Sequence, residues 1–131
     1  MAKNTVTDAE YKESKEKIQK YLDKWMGPGG FNWWRIEIEW VRESQASAAA
    51  DTVVHWQYRQ VYIKFYLPIF EDMPEDRIEQ IVVHELSHIL IGSVHNFSSE
   101  DSTEITEYAT ENVARALLFA NSTVERGKKD A

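Results

Sequence analysis

Apolar and polar positions along the chain change period several times, and each change marks an element. Over about 8–26, Ile18, Tyr21, Leu22 and Trp25 recur at three- and four-residue spacing and form one apolar stripe, which predicts an amphipathic helix. Thr7 and Glu10 stand at capping-box spacing ahead of it, where hydroxyl and carboxylate each satisfy an orphan backbone N–H. Gly27-Pro28-Gly29-Gly30 closes the helix, since Pro cannot continue it. From Trp34 to Trp40 apolar and charged residues alternate, the mark of a strand with one buried face. Residues 44–51 are small and polar and read as a loop. Thr52–Trp56 and Val61–Leu67 predict two more strands, the second with Val61, Ile63, Phe65 and Leu67 on one face. The turn between them, Gln57–Gln60, lacks the Gly or Asn-Gly of a tight hairpin.

Pro68 ends the sheet region, and Pro74 suits the first turn of a helix, where its missing N–H costs nothing. Glu75 and Asp76 suit the positive end of that helix's dipole. The helix should run to about Ile91 and stop at Gly92. Polar residues Ser93–Ser102 follow, then a last helix from Thr103 to about Ala120 and a frayed tail over 121–131. The predicted fold is α+β: an N-terminal helix, a small three-stranded twisted sheet, and two further helices packed with it.

A length of 131 residues fits a single domain, 1–131. Apolar residues make up 43% of it, enough for one core, so the chain is not read as disordered. Acidic residues outnumber basic ones 22 to 15, and the net charge of −7 speaks against a nucleic-acid partner. The only basic cluster is Arg126-Gly127-Lys128-Lys129. The absence of cysteine excludes disulfides, thiolate metal sites and cysteine nucleophiles. Met1-Ala2-Lys3-Asn4-Thr5 lacks a signal-peptide stretch, and no run approaches the ~18 apolar residues of a membrane span. A cytoplasmic protein with no membrane partner is expected; oligomeric state is not encoded in any pattern found.

The chemistry lies in His84-Glu85-Leu86-Ser87-His88, inside the penultimate helix. Residues four apart on a helix sit one above the other, so both imidazoles reach one metal ion. Glu85 is rotated by one residue and faces a water on that ion, whose pKa the metal lowers towards ~7. Ile78, Val82, Val83, Leu86, Ile89 and Leu90 should cover the opposite, core-facing side. The bland alternative is two surface histidines and a solvated glutamate.

Val82-Val83-His84-Glu85-Leu86-Ser87-His88-Ile89-Leu90 resembles the zincin metallopeptidases. The resemblance implies a minimal zincin-like fold, with a sheet, an active-site helix, and one zinc ion per chain completed by a downstream ligand. It also implies peptide-bond hydrolysis with Glu85 as general base, on a peptide or protein added as a strand to a sheet edge. In the gluzincin branch the third ligand is a Glu on the next helix, in a Glu-x-x-x-Asp-like arrangement. Glu107-Tyr108-Ala109-Thr110-Glu111 is similar, with Glu for Asp. The stretch Glu107–Leu118 also resembles small phage-type gluzincins. That implies Glu107 as ligand and Glu111 as the carboxylate orienting a ligating histidine. The branch's Asn before Glu107 is missing, and Glu104 competes as ligand. Without a metal, the same residues read as a solvated acidic face with Glu111 paired to Arg115.

Two other patterns compete. The metzincin pattern needs a Gly and a His that here, as Gly92 and His95, come one residue late, and a downstream Met that is missing. His95 therefore stands as alternative ligand, oxyanion donor or exposed loop residue. Three-histidine endoribonucleases nearly fit His84, His88 and His95, again one residue too long, and carry Gly where Glu85 stands. Tyr108 is a further candidate oxyanion donor, with helix packing as its bland reading. His55 reads as an ordinary strand residue, and Trp33, Trp34, Trp40 and Trp56 as core and edge residues. The alternatives to a zinc metallopeptidase are a metal-dependent endoribonuclease and a non-catalytic zinc-binding module.

Overall fold

Helix α1 (Asp8–Met26) begins where its cap dictates. The Glu10 N–H donates to Thr7 Oγ1 at 3.2 Å, and the Thr7 N–H donates to Glu10 Oε1 at 2.8 Å. The computed structural model describes residues 5–27, 31–43, 47–96 and 103–130; the side chains of 32, 92–96, 103–105 and 129–130 lie outside the description. The predicted stripe, Ile18, Tyr21, Leu22 and Trp25, is the buried face of α1.

Three strands follow: β1 (Arg35–Val41), β2 (Ala50–His55) and β3 (Gln60–Tyr66). Their order is β1-β3-β2, with β3 central, parallel to β1 and antiparallel to β2. The central strand carries the core: Val61, Ile63 and Phe65 are fully buried. β2 starts two residues earlier than its apolar pattern, because Ala50 already pairs with Phe65. The β2–β3 hairpin forms without a glycine. A 3-10 turn at Trp56–Tyr58 leads into Arg59, which adopts the left-handed conformation at φ 54, ψ 39. That conformation costs a residue with a Cβ roughly 1–2 kcal/mol. The Arg59 guanidinium lies 4.6 Å from the Trp33 ring centroid, a cation–π contact that offsets part of the cost.

Helix α2 (Glu75–Asn96) and helix α3 (Thr103–Asp130) both overrun the lengths read from sequence. Gly92 does not stop α2. A glycine ends a helix when it takes the left-handed position past the last turn, and within a helix it costs only about 1 kcal/mol. The chain beyond Ala120, expected to fray, is helical to Asp130. Its anchor is a cluster at the three helices' meeting point. Lys24 Nζ pairs with Glu79 Oε2 at 2.6 Å and with Glu125 Oε1 at 3.2 Å, and Trp25 Nε1 donates to the same Glu79 oxygen at 2.9 Å. That tie joins residues on three different helices, so the periodicity of α3 alone does not encode it.

Helix α2 is the hub, packed by α1, α3 and β2. Ile78, Val82, Val83, Leu86 and Ile89 form its buried face as expected. Leu90 does not join them. It is 49% exposed and lines a surface groove with Trp25, Leu117 and Val124. Trp40 stacks on Phe65 with centroids 5.6 Å apart, whereas Trp33 is 65% exposed at an edge. His55 is exposed on β2, its ring edge-on to Tyr62. No helix among the described residues is long and apolar enough to cross a membrane.

Candidate metal centre

The centre is built on two helices that can approach closely. Among the described residues, the side chains α3 buries are small, Thr106, Thr110 and Ala114, and interaxial distance follows the size of the contact residues. The hydroxyl of Thr110 donates to the Thr106 carbonyl at 2.8 Å, so a buried polar group is satisfied within its own helix. Ser87 does the same on α2, donating to the Val83 carbonyl at 2.7 Å while fully buried. Ser87 is thus a space-saving residue within the histidine motif.

His84 and His88 lie on one face of α2, their rings 5.0 Å apart. Together with Glu85 they offer donor atoms that all lie within 4.8 Å of one another, a group that could hold a metal ion. Glu107 on α3 faces both rings. Its Oε2 is 3.3 Å from His84 Nε2 and its Oε1 is 3.1 Å from His88 Nε2. Glu111, one turn on, places Oε2 2.5 Å from His84 Nδ1. With Nδ1–H donated to Glu111, the Nε2 lone pair of His84 is directed towards Glu107 and available to a cation.

The donor set fits a divalent ion. Imidazole nitrogens and carboxylate oxygens are the ligands of borderline ions such as zinc, and no thiolate is needed. Donors about 2.0–2.1 Å from a tetrahedral ion stand roughly 3.3 Å from each other. The Nε2–carboxylate separations of 3.1 and 3.3 Å, each to a different Glu107 oxygen, are close to that edge length.

Glu85 is 6% exposed, so the bland alternative of a solvated glutamate on the helix surface does not hold. Burial raises its carboxyl to about 7. The hydrogen bond from Thr52 Oγ1 to Glu85 Oε2, 2.6 Å long, and the neighbouring His84 oppose that rise, while Glu107 and Asp51 reinforce it. Thr52 is the site residue that sequence reasoning missed. Its signal was present but unread: Thr52 shares a strand face with Val54, and a hydroxyl on a strand's inward face needs a partner.

A stability prediction follows from Glu85 alone. In metal-free protein the folded state holds the Glu85 proton up to about pH 7, whereas the unfolded chain releases it near 4.5. Folding is therefore favoured below pH 4.5, and that contribution is lost as pH rises through 7. At ~1.36 kcal/mol per pH unit the loss is on the order of 3 kcal/mol. Glu85→Gln cannot ionise. Chemical denaturation of both chelator-treated proteins at pH 4.5 and 8 should show the variant gaining relative stability at pH 8. An unchanged difference between the two proteins at both pH values would contradict the buried, proton-holding carboxyl.

The other residues singled out in the sequence divide plainly. Glu111 also meets Arg115, with Nε 3.1 Å from Oε1, so the helix-surface pair and the histidine contact coexist on one carboxylate. Tyr108 is 73% exposed and makes none of the contacts that join Glu107 and Glu111 to the histidines; it is not packed on an apolar stripe either. The side chains of Glu104 and His95 lie outside the described residues. Comparison with protein-family models, with curated proteins and with solved structures gives no match to this chain.

Proposed function

We propose that the protein is a zinc-dependent peptide hydrolase. The observation that carries this reading is the double contact of one carboxylate, Glu107, with the Nε2 atoms of both His84 and His88, beside the buried Glu85. His84, His88 and Glu107 would hold the ion. When bound, zinc would supply Lewis acidity to a substrate carbonyl and lower the pKa of water in the site.

The protein's own groups account for the rest. Glu85 takes the proton from water as its oxygen adds to the scissile carbonyl carbon, then passes that proton to the departing amine nitrogen. Thr52 holds one Glu85 oxygen and leaves the other to act. Glu111 fixes the tautomer and orientation of His84. The peptide has a place to lie: among the described residues β2 is a sheet edge, paired only with β3, and its Thr52 touches Glu85. Backbone pairing along such an edge presents successive carbonyls to the site.

The test is cleavage of a quenched fluorescent peptide library by protein stripped with a chelator and then reloaded with one equivalent of zinc. Activity should vanish on stripping and return on reloading. Zinc titration of Glu107→Ala and Glu111→Ala sorts their roles. Glu107→Ala should lose the most affinity, and Glu111→Ala about 10–100-fold, the scale for a residue acting through a ligand. Stoichiometric zinc with no cleavage of any peptide would leave a non-catalytic zinc module. Cleavage of structured RNA in place of peptide would select the nuclease.

A further inference from the structure

Beside the histidines a cleft of about 210 Å³ opens between the start of β2, at Ala49 and Ala50, and the first turns of α2, where Arg77, Gln80 and Ile81 precede His84. It is smaller than the ~300–1,000 Å³ of typical small-molecule pockets and suits one side chain or chain end. One wall ends at Glu85 and His84, so anything bound there is continuous with the centre.

The charges lining the cleft are not equivalent. Glu111 is engaged by His84 and Arg115, and Glu85 by Thr52. The Arg77 guanidinium pairs with no carboxylate among the described residues, although the chain carries a net charge of −7. Among the described residues its only side-chain hydrogen bond is from Nη1 to Gln80 Oε1, 3.3 Å. It leaves most of the guanidinium's five donors for another acceptor, and their planar fork matches a carboxylate. The adjacent Asp76 accepts from the Arg77 backbone N–H at 3.0 Å.

We infer that Arg77 is a specificity-determining residue that binds a carboxylate of the peptide substrate in this cleft. The inference rests on the peptide-hydrolase reading and adds a substrate class to it. Spacing sets where the carboxylate lies. Seven helical residues from Arg77 to His84 rise about 10 Å, and an extended peptide covers that in about three residues. The strand side agrees: three residues of extended chain, from Thr52 back to Ala49 just before β2, span about 10 Å. The carboxylate is therefore within about three residues of the scissile bond. An acidic side chain and a free C-terminus both supply that chemistry.

The test is binding, read by fluorescence anisotropy on zinc-loaded Glu85→Gln protein so that no turnover is needed. Matched peptides carry Glu or Gln at each position, and a second set carries a free or amidated C-terminus. One Glu position, or the free C-terminus, should tighten binding about 10- to 100-fold, the scale of a charge-assisted bidentate contact. Adding Arg77→Gln should bring the paired peptides within about twofold, and Arg77→Lys should retain part of the preference. Circular dichroism melts report whether each variant is folded. Equal binding of Glu and Gln peptides, no binding of either, or a preference that survives Arg77→Gln would overturn the assignment. A carboxylate preference in a protein that cleaves no peptide would keep the Arg77 site and reject the hydrolase.

Discussion

His84→Ala and His88→Ala are each expected to abolish tight zinc binding, with a loss of more than about 10³-fold for either. Two neutral imidazoles are the minimum anchor in a site without thiolates. Glu107 spans the two rings through separate oxygens, so removing either ring leaves it holding the ion with one histidine. His84→Ala carries a second penalty, because Glu111 loses the Nδ1–H it accepts and, among the described residues, keeps only the Arg115 contact at that carboxylate. Both histidines are only half-buried, so the loss should appear in zinc affinity and not in the fold. Isothermal titration with zinc, alongside a melt of each variant, checks this. Tight zinc binding by the double variant would mean that the ion sits elsewhere.

Glu85→Gln should keep one zinc per chain and lose peptide turnover by at least about 10²–10⁴-fold, the range for a positioned general base. The amide keeps the shape of the side chain and an oxygen for Thr52, whose hydroxyl donates to Oε2 at 2.6 Å. It cannot accept the water's proton. The same substitution should leave the metal-free protein more stable at neutral pH, since it removes a carboxyl that burial holds near 7. Loss of activity with gain of stability is the signature of a group placed for chemistry at the expense of the fold. Cleavage by the variant at the wild-type rate would remove Glu85 from the reaction.

Much of this was legible in the sequence because it follows from local period. The α1 stripe, the cap at Thr7, the alternation over β1 and the buried face of α2 are statements about neighbours three or four apart on a helix, or two apart on a strand. The histidine pair belongs to the same class, since its spacing alone puts both rings on one face. Glu107 and Glu111 were reachable through a second spacing and a family resemblance. The structure places them beside the two histidines, with Glu111 on the back of His84.

What the sequence hid was set between elements. Thr52 meets Glu85 across 33 positions, and only the β1-β3-β2 order puts that edge strand against α2. The last ten residues of α3 are helical where a tail was expected, and Lys24 on α1 reaches Glu125 there. Leu90 fits the helical wheel and still lies half in solvent, because the neighbouring helices leave a groove at that point. Arg59 makes a hairpin turn that residue preferences assign to glycine, aided by a Trp33 ring that its own strand does not supply.

The central claim is that one zinc ion is held by His84, His88 and Glu107. Anomalous diffraction at the zinc edge from crystals of zinc-loaded protein tests it most directly. One peak per chain is expected, about 2.0–2.1 Å from both Nε2 atoms and from a Glu107 oxygen, with Glu111 still on Nδ1 of His84. A peak ringed by His84, His88 and His95 with Glu107 turned away, or a peak remote from α2, would contradict it.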